Sequence, residues 1–249
     1  MNILLTNDDG YESVGLMLLT EKLASCGHSV YVVAPDGQRS AYSHSVNLYK
    51  NLEIRKLDAY CGAICAYTCS GTPADCVKFA ACELGVKFDL LVSGPNNGEN
   101  YGFAVIYSGT VAAAEEGVMQ NIKSIALSRK GWHADGGSFS STVEYLAENL
   151  NELAAVCGET NLISINVPDL PMSEIKGVKV CSLGLHRLFK DRFERIDGDI
   201  WRILGDRQPV IGNDGTDVPL LEEGFITITP VSVLRTDTSA LIKCKNLEK

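Results

Sequence analysis

Through the first two thirds of the chain, short apolar runs alternate with amphipathic stretches. Asn2 to Thr6 reads as a buried strand. Gly15 to Ser25 reads as a helix with Leu16, Leu19 and Leu23 on one stripe, and Ser29 to Ala34 as a second strand. Strand, helix and strand joined by short connections is the pattern of a right-handed crossover in a parallel sheet. The alternation continues with a strand from Ile64 to Cys69. Thr72 and Pro73 then supply an N-cap and a first-turn proline for a helix reaching Glu83. Asp89 to Val92 predicts a strand, Thr110 to Met119 a helix and Ser124 to Leu127 a strand. Ser138 to Val156 predicts a long amphipathic helix, followed by a strand from Leu162 to Val167 that ends at Pro168.

Beyond Pro168 the texture changes. Val178 to Ser182, Phe193 to Ile196, Ile200 to Leu204 and Phe225 to Thr229 are strand-like pieces without intervening helices, and Asp197-Gly198 is a hairpin-turn signal. The pattern predicts an α/β fold: a Rossmann-like three-layer α/β/α core with a mostly parallel sheet over about residues 1–170, then a β-rich extension over 171–249, all within a single domain. There is no internal repeat and no long linker.

Composition changes this picture little. Of 249 residues, 45% are hydrophobic and 21% charged, as in ordinary globular proteins. The 31 acidic and 22 basic side chains leave a formal charge of −9, which argues against a nucleic-acid polymer or an anionic membrane as the main partner. A small anionic substrate stays open, because a bound cation inverts the local field. The first residues carry neither a basic leader nor a signal-length apolar stretch, and no segment has the ~20 apolar residues of a membrane span, so a cytoplasmic protein is expected. Nine cysteines, an odd number, read as reduced and mostly buried thiols.

In open α/β sheets ligands bind beyond the carboxyl ends of the strands. The loops found there are Asn7-Asp8-Asp9-Gly10, Pro35-Asp36-Gly37-Gln38-Arg39-Ser40 and Ser93-Gly94-Pro95-Asn96-Asn97-Gly98. Adjacent carboxylates such as Asp8 and Asp9 repel unless a cation sits with them. With a hydroxyl and an amide oxygen from neighbouring loops they make an all-oxygen set suited to Mg²⁺ or Mn²⁺. An Asp-Asp-Gly run by itself is more often a solvated turn; its place after a buried first strand favours the cation. Ser108-Gly109-Thr110, opening an Ala-rich helix, offers hydroxyls, backbone N–H groups and a positive helix end for an anion. A plain N-cap is its bland alternative. His44 could donate to phosphate or protonate a leaving group, and it reads equally well as a surface or capping residue. Neither G-x-G-x-x-G nor G-x-x-x-x-G-K-[ST] occurs, and the Cys spacings do not match a zinc site.

The segments from Met1 to Gly10, Val33 to Asp36 with Arg39-Ser40, Gly71 to Val77, Val92 to Asn96 and Tyr107 to Ala114 together resemble the SurE family of stationary-phase survival proteins. Asn166-Val167-Pro168, Gly215-Thr216-Asp217 and Gly224 to Pro230 continue the match in order. The resemblance implies a metal-dependent 5'-nucleotidase acting on nucleoside monophosphates, 5′ and sometimes 3′, with short polyphosphate as a further substrate of some members. It implies one divalent cation on Asp8, Asp9, Ser40 and Asn96, and a homodimer or homotetramer with an exchanged C-terminal segment. The family commonly has isoleucine where Pro95 stands and glycine where Ala41 stands; Leu183 to Val210 matches weakly.

On this reading the cation activates water and polarises phosphate, Asn96, Ser108, Gly109 and Thr110 bind the phosphoryl oxygens, Asp8 or Asp9 takes a proton, and His44 assists the leaving group. Two rivals remain: an aspartyl-phosphate phosphatase, although its carboxylates would ordinarily be separated by one residue rather than adjacent, and a non-catalytic metal- or nucleotide-binding regulator on the same fold.

Overall fold

Ile3, Leu4 and Leu5 are all fully buried, although successive strand side chains point to opposite faces. Both faces of their strand are therefore covered, as in a doubly wound sheet. The computed structural model describes residues 1–134, 137–186, 189–212 and 214–248. Its elements are β1 (Asn2–Thr6), α1 (Val14–Ser25), β2 (Ser29–Pro35), β3 (Ile54–Leu57), β4 (Cys65–Cys69), α2 (Pro73–Glu83), β5 (Leu90–Asn97), α3 (Gly109–Met119), β6 (Ser124–Arg129), α4 (Ser140–Val156), β7 (Asn161–Val167), β8 (Val178–Val180), β9 (Phe189–Asp197), β10 (Ile200–Arg207), α5 (Asp217–Glu222), β11 (Ile226–Ser232) and α6 (Thr238–Cys244).

Nine strands form one sheet in the order β3-β4-β2-β1-β5-β6-β7-β11-β8. The pairings from β4 through β7 are all parallel; β3 on β4 and β11 on β7 are antiparallel. On one face Ile3 and Leu5 join Leu16, Leu19 and Leu23 of α1 and Leu146 and Leu150 of α4. On the other Leu4 joins Cys76 and Val77 of α2 and Val111 and Ala114 of α3. This is the expected three-layer α/β/α fold.

The helix starts follow the sequence signals. Thr72 caps α2 in a reciprocal capping box with Asp75, with Pro73 in the first turn. Ser13 caps α1 and Ser108 caps α3. After residue 170 the segment is not free of helices: α5 lies between β10 and β11, and α6 follows. Asp217 explains α5, since its buried carboxylate accepts from the N–H groups of Gly102 and Gly184 and so ties the short helix to the loop before α3. The main sheet takes β8 and β11 from beyond residue 170, while the antiparallel hairpin of β9 and β10 stands apart as a separate two-stranded sheet. The expectation of mostly buried thiols is corrected. All nine cysteines are free, but Cys26, Cys82 and Cys244 are exposed and only Cys69, Cys76 and Cys157 are buried. No helix among the described residues is long and apolar enough to cross a membrane.

Candidate active site

Strand order reverses direction between β1 and β5, since the chain moves from β1 to β2 and β4 on one side and from β5 to β6 and β7 on the other. Such a switch point opens a crevice beyond the strand ends. Asp8 and Asp9 follow β1 directly, and Asn96 and Asn97 end β5. Three loops are fastened together there by backbone bonds. Arg39 N donates to Asp8 O at 2.6 Å, which places Ser40 one residue beyond a bond to the acidic pair. Asn97 N donates to Asp9 Oδ2 at 3.0 Å. Gly10 lies so close to Gly37 that a Cβ on it would meet the Gly37 backbone at 3.1 Å, and its φ of +101° also calls for glycine.

α3 points its first turn at this pair. Thr110 gives its hydroxyl to Asp8 Oδ1 at 2.5 Å, and a Cβ on Gly109 would lie 3.0 Å from Asp8 Oδ2. The Ser108 hydroxyl accepts from Val111 N at 3.0 Å, so it serves as the N-cap. Burial drives the Asp8 carboxyl up to about 7 against the Thr110 hydrogen bond, and the neighbouring Asp9 adds to the rise. Burial raises Asp9 as well, opposed by the Asn97 N–H and the charge of Arg129.

Neighbouring carboxylates, Asp8 buried and Asp9 half-buried, both held above their ordinary range, form a site that gains from positive charge. The donors are all hard oxygens. Asn96 spends its amide N–H on Gly98 O at 2.8 Å, leaving its carbonyl oxygen as the donor, and Ser40 Oγ already accepts from Gln38 Nε2 at 3.1 Å. Asp8, Asp9, Ser40 and Asn96 thus fit a Mg²⁺-class ion in chemistry. Among the described residues no group of three or more His, Cys, Asp and Glu side chains is arranged to hold a metal.

His44 is not in hydrogen-bond contact with this group. Its Nδ1 meets Glu115 Oε2 at 3.1 Å and its Nε2 meets Glu116 Oε2 at 3.0 Å. From Thr110 to Glu116 is about 9 Å along the helix axis at the usual rise.

Four supporting residues were not among the expected site residues, although Asn7, Arg39 and Asn97 stand in the loops named from the sequence. Buried Asn7 closes the acidic turn, donating to Gly10 O and accepting from Gly10 N. Asn97 positions Asp9. Arg39 hydrogen-bonds Ser70 O and Gly71 O, fixing the Ser40 loop to the end of β4. Arg129, buried at the end of β6, donates to Asn97 Oδ1 and stacks 4.5 Å from the Phe139 ring centroid. A charge closing the apolar run Ile125 to Leu127 was the available signal for Arg129. Its partners are tertiary, so spacing alone could not assign it.

The fold and this arrangement define a doubly wound α/β protein with an acidic oxygen-donor site facing a helix N-terminus at its switch point. The chain belongs to the SurE family: the family model described as Survival protein SurE matches residues 3–190. It is similar to 5'-nucleotidase SurE of Desulfitobacterium hafniense, with 40% identity over 255 residues covering 100% of this chain and 96% of that one. It is similar to 5'-nucleotidase SurE of Haemophilus ducreyi at 38% identity, covering 93% of each. The crystal structure of the SurE protein from Aquifex aeolicus superposes with a TM-score of 0.85 at 33% identity, over 100% of both chains.

Proposed function

We propose that this protein is a cation-dependent phosphomonoesterase that hydrolyses nucleoside 5′-monophosphates to nucleoside and phosphate. The observation that carries the reading is the Asp8-Asp9 pair, with buried Asp8 bonded to the first turn of α3. Full-length similarity to proteins named 5'-nucleotidase supports it over a regulator without turnover.

Asp8, Asp9, Ser40 and Asn96 would hold a single divalent cation, Mg²⁺ or Mn²⁺, which when bound supplies the charge that polarises a phosphoryl oxygen and makes a water more acidic. The N-terminal turn of α3, from Ser108 through Gly109 to Thr110, binds the remaining phosphate oxygens and stabilises charge that develops during transfer. Thr110 also orients the Asp8 carboxylate. The carboxylate pair accepts the proton of the attacking water. His44 keeps both ring nitrogens on glutamates, so its contribution is sought in the loop that carries it rather than at the leaving group. The exposed apolar side chains of the hairpin, among them Phe193, Trp201 and Ile203, support assembly as a homodimer or homotetramer, with the C-terminal segment exchanged.

Phosphate release from a panel of 5′- and 3′-mononucleotides, with Mg²⁺ or Mn²⁺ and then with EDTA, tests the reading. Turnover that stops with EDTA and returns with either ion supports it; no release from any mononucleotide with the ions present rejects it.

Two substitutions test the helix turn. Thr110→Val is expected to keep the fold and to lower kcat/KM by about 10- to 100-fold, the usual effect of losing a group that orients a ligand. Ser108→Ala is expected to cost about 1 kcal/mol of stability through the lost cap. Steady-state kinetics and urea titration check both, and unchanged kinetics for Thr110→Val would leave Thr110 a helix-start residue only.

A further inference from the structure

The segment between β2 and β3 carries Ser40 and has no regular secondary structure, so its position depends on separate fastenings. Ser43 supplies two, donating its N–H to Tyr107 O at 3.1 Å and its hydroxyl to Ile106 O at 2.7 Å. Ser45 O accepts from the Thr72 hydroxyl, and Asn47 binds the Asp75 carboxylate through its backbone and side-chain N–H groups. Each of these involves backbone or neutral groups of the segment. His44 differs: its ring hydrogen-bonds α3 itself, where it bridges two carboxylates.

The bridge lies in a charged cluster drawn from the His44 segment, α2, α3 and the stretch after β11. Glu116 of α3 is 1% exposed and binds Lys78 of α2 at 2.8 Å and Gln120 at 2.7 Å besides His44. Glu115 also pairs with Arg235, which follows β11, at 3.1 Å. Hydrogen bonds from Glu115 and then Glu116 outweigh the opposing effect of burial and raise the His44 ring to about 9. Burial works against charge on Glu116, but His44, Lys78 and Gln120 together bring its carboxyl down to about 2. Near neutral pH the ring is therefore a cation held against the Glu116 carboxylate, with Glu115 on its other nitrogen.

We infer that His44 is a positioning residue: clamped between Glu115 and Glu116, it locks the Ser40 segment onto α3 and so fixes the spacing between the oxygen-donor set and the phosphate-binding turn that opens the same helix. This inference rests on the proposed reaction only for the use it assigns to Ser40. It gives the ring a charge to carry and no proton to transfer. Arginine, which stays charged and has several donors on a planar fork, can replace it in that role, whereas it cannot act as a general acid near neutral pH.

His44→Ala, His44→Gln and His44→Arg are compared at pH 7.5. The Mn²⁺ concentration giving half-maximal binding, read by electron paramagnetic resonance without substrate, is expected to rise by about tenfold or more in the alanine and glutamine variants, the range seen when ligand-orienting partners are lost. The rate at saturating ion stays near that of the wild type. His44→Arg restores the affinity.

Chymotrypsin reads the segment without any metal. Cleavage after Tyr42, which is 53% exposed, is measured against cleavage after Tyr49, which is 99% exposed and lies outside the clamp. The ratio is expected to rise in His44→Ala and return in His44→Arg. If the alanine variant does not fold, Glu115→Gln keeps Glu116 paired with Lys78 and is expected to give a smaller change in the same direction.

The inference is overturned if His44→Ala binds Mn²⁺ and resists chymotrypsin like the wild type. It is equally overturned if His44→Arg shows normal Mn²⁺ affinity but stays as slow as His44→Ala at saturating ion, the pattern of a lost proton donor. Absence of mononucleotide hydrolysis by the wild type would sink the proposed reaction, while the Mn²⁺ and proteolysis measurements would still decide the clamp.

Discussion

Asp8→Asn combined with Asp9→Asn should reduce cation-dependent phosphate release by about a thousandfold or more, because it removes charged groups from a site where electrostatic stabilisation supplies most of the catalysis. Stability should move in the opposite direction. The folded Asp8 carboxyl is raised to about 7 from an ordinary 3.8, so the stability linked to its protonated form is present below pH 3.8 and lost as pH rises through about 7. In EDTA at pH 8, the single variant Asp8→Asn should therefore unfold at a higher urea concentration than the wild type, and the gap should close at pH 4. Activity assays and urea titrations at the two pH values check this pair of effects. A double variant that keeps its metal-dependent turnover would remove the acidic pair from the site. Equal wild-type and variant stability at both pH values would mean that burial does not strain Asp8. Activity lost where stability is gained is the usual mark of a functional site.

Gly94→Ala should be the most damaging single change to the fold. Gly94 sits in β5 with φ +119°, where an L side chain is strained, and a Cβ there would stand 2.1 Å from the Leu127 carbonyl oxygen. That oxygen belongs to the backbone of β6, a central strand that cannot yield locally. A loss of about 4 kcal/mol or more is expected, in the range reserved for named steric or burial defects. Urea titration of purified protein measures it; a loss below about 1 kcal/mol, typical of an ordinary substitution, would show that β5 and β6 can separate. The β5-β6 register shifts between Ser93 and Asn96, in the same stretch that needs glycine.

The sequence made the layers readable because the central strands are apolar on both faces and the helices carry explicit starts. Leu4 against Leu5, and Thr72 with Pro73, are local signals for features that turned out as expected. β3 was missed because Ile54 to Leu57 is a short antiparallel edge with one arginine and one lysine side chain in solvent. α5 was missed because six residues with an internal proline make no helical pattern, and its stability comes from Asp217 binding backbone N–H groups far away in sequence. β9 was read too short because all of its residues are exposed, so no alternation marks its length.

The site follows the same division. Asp8 and Asp9 were legible as candidates from standing just past β1, and Asn96 from the polar end of β5. His44 was legible as chemistry but not as place, since Glu115 and Glu116 lie 71 and 72 residues away. Asn97 and Arg129 act through each other and through Asp9, a relation that exists only once β5 and β6 are paired.

The position of β11 has a consequence for how the chain is made. β8 meets the main sheet only through β11, which is itself inserted beside β7. On a ribosome, the strands from β1 to β7 can assemble as soon as they emerge, but β8 must wait through the whole hairpin and α5 before Ile226 to Ser232 arrive to receive it. During that interval the edge of β7, with Leu162, Ile163 and Ile165 in its apolar run, lies open to other nascent chains. With closure this late, chains truncated before β11 should aggregate rather than remain as a shorter soluble core.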